Sequence, residues 1–348
     1  LRIGIALASV LARLDDPLRS PDDAARASDL PVVGAIPAYL HGEARARKLS
    51  KNTPREVVPL DSTAAEAYRA LRSNLRFSAV GVKRTSILLT SSEGSEGKST
   101  VAANLAVVLA EAGLRVVLVS ADLRKPSLSS FFGIDETEKG LTSVLIGDHD
   151  LVDCLMRVPL ASGRNLYVLP AGPLPQNPAE VLGSARLRDT LDAIERAGAD
   201  FILVDSPPVL PVADALALSQ FTDGVLVLTV AGRTPKGHLT ETVDRLRQVN
   251  ADLIGVVLNG IPTKGRYSRS YGGYSYGYGD TYRQEAAPKK ASPPMPRSGR
   301  ALSELFGAKN GGTDEVVPQG APGTDPATGP SNGTVRTDPA SKAGRTDR

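Results

Sequence analysis

Between residues 83 and 262 the chain repeats one pattern: a short run of Val, Ile and Leu, a stretch of helical periodicity, then another apolar run. The runs fall at 86–90 (SILLT), 115–120 (RVVLVS), 166–169 (LYVL), 201–205 (FILVD), 224–230 (GVLVLTV) and 253–258 (LIGVVL). Several are apolar at every position rather than at alternate ones, as strands covered on both faces require. Helical stretches at 99–112, 186–197, 211–219 and 236–249 lie between them. Strand and helix alternating this often predict a doubly wound α/β domain with a mainly parallel sheet. Aromatic residues make up only 4% of the chain and Trp is absent, so aliphatic side chains must build the core.

Around this body the composition changes. Residues 1–20 begin with LRIGIALASVLA, mostly apolar but shorter than the about 20 residues that cross a bilayer. This stretch reads either as a buried or amphipathic helix or as the cytoplasmic end of a transmembrane helix flanked by Arg13 and Arg19. Residues 21–60 read as a connector containing one short helix, with Ser20 as its cap and Pro21 in its first turn. At 61–80, Ala65, Tyr68, Leu71 and Leu75 recur at three- and four-residue steps and predict an amphipathic helix that opens a domain running to 262. A Gly/Tyr/Ser tract covers 263–282. The last 66 residues, 283–348, hold 9 Pro and 9 Gly, a disorder-prone composition in which no fold is expected. The net charge of +3 resides in that tail, which leaves residues 1–282 neutral and argues against a domain that coats nucleic acid. One cysteine, Cys154, excludes an intramolecular disulfide and a Cys-rich zinc site, and three scattered His offer no metal spacing.

The chemistry concentrates at Ser91-Ser92-Glu93-Gly94-Ser95-Glu96-Gly97-Lys98-Ser99-Thr100, between a predicted strand and a predicted helix. Backbone N–H groups of such a turn converge on phosphate oxygens, and the helix N-terminus adds its dipole. The pattern is a P-loop of the P-loop NTPase type, with Ser92 standing where the first Gly of G-x-x-x-x-G-K-[ST] is usual. Residues Gly94 to Thr100 are therefore candidates for ATP binding, Lys98 for the β/γ-phosphates, and the Ser99 hydroxyl for Mg²⁺. Two further apolar strands end in acids, one running into Asp122-Leu123-Arg124-Lys125-Pro126 and the other ending at Asp205. Ligands of open α/β sheets sit beyond the carboxyl ends of the strands, so Asp122 and Asp205 are expected near Lys98 and Ser99 as metal-associated acids. Arg124 is a further candidate for neutralising phosphate charge.

Together these segments resemble the bacterial protein-tyrosine kinases, the cytoplasmic kinase domains of capsular and exopolysaccharide co-polymerases. The resemblance runs from about residue 14 to 282. It includes Leu30-Pro31-Val32-Val33-Gly34-Ala35-Ile36-Pro37, Glu66-x-x-Arg69-x-x-Arg72, the phosphate loop, Asp122-Leu123-Arg124-Lys125-Pro126, Asn177-Pro178-Ala179-Glu180 and the Asp205 strand. It implies an ATP- and Mg²⁺-dependent tyrosine autokinase at the cytoplasmic face of the bacterial membrane. Glu66, Arg69 and Arg72 would form a ring-closing interface between copies. The partners implied are a membrane chain-length-determinant domain N-terminal to this chain, the polysaccharide export machinery and protein tyrosine substrates. Asn259 resembles the Asn that reads adenine in the wider superfamily. The family carries two Asp, two residues apart, in its second acidic motif; here the first of those positions is Ser120. That substitution leaves ATP binding intact as an expectation and bears on turnover. Two other readings remain: an ATP-dependent, non-catalytic regulator of the export complex, and a chromosome-partitioning-type ATPase. In the latter a signature Lys stands five positions before the loop Lys, where this chain has Glu93.

Six of the nine Tyr lie at Tyr267, Tyr271, Tyr274, Tyr276, Tyr278 and Tyr282, between Gly and Ser. A core does not collect tyrosines in this way. The kinase resemblance makes them phosphate acceptors on a flexible arm. Arg266, Arg269 and Arg283 among the rings leave nucleic-acid stacking as the competing reading of the tract.

Overall fold

The computed structural model describes residues 16–39, 57–78, 83–135, 138–262 and 302. In chain order these form α1 (Pro21–Ser28), β1 (Val32–Pro37), α2 (Thr63–Ser78), β2 (Ser86–Ser91), α3 (Lys98–Glu111) and β3 (Val116–Ser120). There follow α4 (Leu141–Ile146), α5 (Leu151–Cys154), β4 (Met156–Pro159), β5 (Asn165–Leu169), α6 (Pro178–Leu182) and α7 (Ala185–Arg196). The remainder is β6 (Phe201–Asp205), α8 (Asp214–Ser219), β7 (Gly224–Val230), α9 (Lys236–Gln248) and β8 (Leu253–Ile261). The strands form one eight-stranded sheet in the order β1-β8-β7-β2-β6-β3-β5-β4. All neighbours are parallel except β4, which runs antiparallel to β5 at the edge.

The unbroken apolar runs are explained by helices on both sheet faces. Along β2, Leu88 contributes to one core with Val117, Val204 and Val225, while Ile87 and Leu89 turn to the other with Leu118 and Leu203. The second core is built around α3, in which every residue from Val101 to Ala110 is buried. A helix this apolar on all sides needs a cover, and α2 supplies it, burying Ala65, Tyr68, Leu71 and Leu75. Asn104 is the one polar residue in that buried run of α3. Its Oδ1 accepts from Val58 N at 2.7 Å and its Nδ2 donates to Thr100 O at 2.7 Å, tying the segment before α2 to α3.

Residues 21–39, expected as part of a connector, belong to the body. Strand β1 pairs with β8 at the sheet edge, and α1 packs on α9, with Ser20 capping Asp23 N at 3.1 Å as expected. Pro37 within β1 is compatible with an edge position, where one side of the strand makes no ladder bonds. Residues 16–18 lie along the β7–α9 connection: Leu18 N donates to Thr234 O at 2.9 Å and Lys236 N to Asp16 O at 3.0 Å. The apolar stretch 1–12, the tyrosine tract and the tail fall outside the described residues. No described helix is long and apolar enough to cross a membrane.

Replacing Asn104 by Ala leaves the buried Val58 N–H without its acceptor. We expect a loss of about 1–3 kcal/mol in unfolding free energy, read from the urea midpoint at unchanged slope.

Candidate active site

The sheet order sets β2, β6 and β3 side by side, and parallel pairing brings their carboxyl ends to one edge. From that edge β2 enters the loop at Ser92, and α3 begins at Lys98. The turn needs two left-handed residues, Ser95 at φ 62° and Gly97 at φ 91°. Gly97 is required on two grounds. Its φ disfavours any side chain, and a Cβ there would lie 2.3 Å from Asn259 Nδ2.

The loop is braced from behind. The Glu96 side chain is buried, accepting from Glu93 N at 3.0 Å and from the Thr234 hydroxyl. Asn259 Nδ2 donates to Glu96 O at 3.2 Å and Arg233 Nη1 to Ser95 O at 3.1 Å. The Ser92 hydroxyl meets that of Thr242 at 2.8 Å. Glu93 faces outward, its Oε1 3.1 Å from His238 Nδ1. Glu96 thus serves the loop through its side chain from inside, leaving the outer surface to the backbone.

Lys98 is 6% exposed and donates from Nζ to Ser91 Oγ at 3.1 Å. The sequence places it in a loop; in the structure it is the first residue of α3. Burial pulls its pKa down, and the negative charges of Asp205, Asp122 and Glu96 act in the opposite direction. The charges of both strand-end acids thus reach the lysine. Asp205 is fully buried, in register with Leu89 on one side and Ser120 on the other. Asp122 Oδ1 accepts from Arg124 N at 3.2 Å and Lys125 N at 3.0 Å, so its own turn orients it. The Ser99 hydroxyl is 3.1 Å from that of Ser127.

Arg124, expected to face the phosphates, instead forms a two-pronged pair with Asp214, Nε to Oδ2 at 2.7 Å and Nη2 to Oδ1 at 2.9 Å. Asn259 is at the loop, bound to its backbone. Glu66, Arg69 and Arg72 lie at the far end of α3, about 20 Å along a 14-residue helix from Lys98. Arg69 pairs with Glu66 and donates to Leu60 O, while Arg72 donates to Val108 O at 3.3 Å in the last turn of α3. These two arginines line a pocket of about 230 Å³ with Leu60, Val108, Glu111 and Ala112. The six clustered tyrosines lie outside the described residues. Sequence reasoning missed Asp214, Thr234, Arg233 and Ser127, which belong to no phosphate motif and reach the site only through the fold.

A cradle of backbone, a buried lysine and hydroxyl and carboxylate oxygens defines a P-loop nucleotide site. Hard oxygen donors suit a divalent cation such as Mg²⁺, which keeps few protein ligands. No group of three His, Cys, Asp or Glu capable of holding a metal alone occurs among the described residues. The family model ParA, described as NUBPL iron-transfer P-loop NTPase, matches residues 82–263, just over half the chain. Tyrosine-protein kinase YwqD of Bacillus subtilis is 36% identical over 242 residues, covering 69% of this chain and 98% of YwqD. EpsB of Ralstonia solanacearum is 33% identical over 80% of this chain, which spans only 36% of EpsB. The BceF tyrosine kinase domain superposes with a TM-score of 0.62 at 32% identity, over 71% of this chain and all of that domain. The chain belongs to the bacterial tyrosine-protein kinases built on the ParA-type P-loop fold.

Exchanging Lys98 for Met should lower ADP affinity about 10- to 100-fold, the value of a hydrogen bond to a charged group, without lowering the melting temperature. Burial depresses the Lys98 pKa in the free protein, whereas phosphate oxygens favour its charged form and raise the value in the complex. Between those two values binding takes up a proton, so uptake should grow as the pH rises through the lowered value of the free protein. Calorimetry in buffers of different ionisation enthalpy measures it; the Met variant should show none.

Proposed function

We propose that this chain is an ATP- and Mg²⁺-dependent tyrosine autokinase that regulates capsule or exopolysaccharide synthesis from the cytoplasmic face of the membrane. The observation that carries the reading is the buried Lys98, under the charges of Asp205 and Asp122, at the mouth of a braced phosphate loop, in a chain that aligns with tyrosine kinases over most of its length.

In this reading the amides of Gly94 to Thr100 hold the phosphates and Lys98 neutralises the β/γ oxygens. Asn259 holds the loop beside the adenine side. Ser99 and Asp205, with Asp122, would hold Mg²⁺, which when bound offsets charge on the β- and γ-phosphates. The phenolic oxygen of a tyrosine from a neighbouring copy attacks the γ-phosphorus, the bond to the β,γ-bridging oxygen breaks, and ADP departs. The phenolic proton passes to a strand-end carboxylate, with Asp122 the half-buried one and Asp205 the fully buried one of the pair. The acceptors are Tyr267, Tyr271, Tyr274, Tyr276, Tyr278 and Tyr282. Glu66, Arg69 and Arg72 join copies into a ring, and the chain works with a chain-length-determinant membrane domain and the export machinery. Each phosphotyrosine adds about −1.5 to −2 charges. A modified arm is therefore repelled from a phosphate-filled site and from adjacent arms, and the ring loosens.

One observation favours a second reading. Ser120, fully buried and in register with Asp205, puts a hydroxyl where the family carries an acid. A hydroxyl neither accepts a proton near neutral pH nor balances a metal charge as a carboxylate does. On that reading the chain is an ATP-driven switch that assembles and releases the export complex without phosphoryl transfer.

Incubation with γ-labelled ATP followed by phosphotyrosine detection separates the two; label on tyrosine that is absent in K98M establishes the kinase. Ser120→Asp should raise autophosphorylation by about a hundredfold, the low end of what a positioned base contributes. A wild type already fast and unimproved by Asp assigns the task to Asp122 or Asp205. Replacing all six tyrosines by Phe should abolish the ATP-dependent drop in oligomer mass seen by light scattering.

A further inference from the structure

The acids of the site stand at two strand ends, Asp122 in the turn after β3 and Asp205 as the last residue of β6, and an ion pair joins the segments that follow them. Asp214 is fully buried and opens α8, nine residues beyond Asp205. Its carboxylate receives both prongs of Arg124, at 2.7 and 2.9 Å, across 90 residues of sequence. Arg124 also supplies, with Lys125, the backbone N–H groups that hold Asp122 Oδ1. A buried aspartate must recover a large desolvation cost, and a planar guanidinium in two-pronged contact does so in one orientation only. The clamp therefore has a direction. Asp214 sits in the core, Arg124 reaches down to it from the rim with its side chain 41% exposed, and the turn that orients Asp122 hangs from Arg124.

We propose that Asp214 is a positioning residue for phosphoryl transfer, fixing through Arg124 the turn that aims the Asp122 carboxylate at the metal side of the phosphate site. The proposal rests on the reading of Asp122 as a site acid. It reassigns Arg124 from a phosphate contact to the link in this chain. It also explains why a charge is buried at a position that touches no part of the phosphate loop by hydrogen bond. Ala121 N already donates to Asp205 O at 2.8 Å, and the clamp fixes the turn beyond it, so the placement of Asp122 relative to Asp205 is set by the protein before ligand arrives. Pre-set spacing is what a cation shared between protein oxygens and phosphate requires.

The test uses the full chain with Arg124→Ala, Arg124→Lys, Asp214→Asn and the double variant Arg124→Ala/Asp214→Asn. Calorimetry gives ADP affinity with and without Mg²⁺, and an autophosphorylation assay gives kcat and the KM for ATP. We expect ADP affinity without metal to match wild type. The Mg²⁺ concentration for half-maximal effect on ADP binding should rise about 10- to 100-fold, the usual consequence of losing a partner that orients a ligand. The kcat should fall with little change in KM. Arg124→Lys, with one prong, should recover part of the loss, and the double variant should be no worse than Arg124→Ala. Wild-type Mg²⁺ dependence in Arg124→Ala overturns the proposal. So does a loss of metal-free ADP affinity in step with melting temperature, which marks an ordinary packing contact. Should Asp214→Asn fail to fold, the two Arg124 variants decide, since that side chain is at the rim. If wild type makes no phosphotyrosine, the kinase reading fails, while the Mg²⁺ dependence of ADP binding still decides the clamp.

Discussion

A lysine ammonium buried at the start of a helix is the constraint around which this sheet edge is organised. Lys98 leaves water almost completely, and a lone buried cation would give up its proton rather than stay charged. Compensation comes from Asp205 and Asp122, and both arrive because of strand order. With β6 between β2 and β3, the two acids leave the sheet on the strand next to the lysine's own and on the one beyond it. The parallel arrangement puts every one of these strand ends on the same edge. Purely local sequence could not do this, since the lysine and Asp205 are more than a hundred residues apart.

Residues whose role depends on chain-local periodicity were legible without a structure. Of the six apolar runs, two became strands with unchanged bounds, three with one end shifted by one residue, and β8 runs on to Ile261, while the helix over α2 buried the four residues its spacing indicated. What escaped was short or edge-bound. Strand β1 carries Gly34 and Pro37, which read as a connector until β8 is present to pair with it. Strand β4 is four residues long and mostly exposed, so it lacks an apolar signature. Helices α4, α5 and α6 are six residues or fewer, below the length at which a helical period can be recognised. The same division holds in the site. Lys98, Asp122 and Asp205 stand at ends of recognisable elements, and their meeting follows from the topology. Arg124 was legible as a charge but not as a partner of Asp214, because nothing in either local sequence points to the other.

The phosphate loop shows how a departure from a motif can be absorbed. Ser92 replaces the usual first Gly, yet it is fully buried and its hydroxyl is engaged by Thr242 of α9, so the position has become an anchor. Glu96 follows the same logic: its carboxylate takes up a loop N–H and a threonine hydroxyl, fixing the turn from the protein side. A loop held in this way gives up little conformational freedom when phosphate binds, and binding energy otherwise spent on ordering it is retained.

That bracing also fixes what the loop is mechanically joined to. Glu96 and Ser95 are held by Thr234 and Arg233, and Thr234 O accepts from Leu18 N, two residues after the described chain begins at Asp16. From the other side, Asn259 of β8 secures Glu96 O, and β8 is the strand on which β1 is zipped. Residues 16–39 therefore touch both supports of the phosphate loop. Their place in the sheet is a condition of the loop's geometry, so a domain boundary drawn at residue 60 would cut through the supports of the site it was meant to enclose.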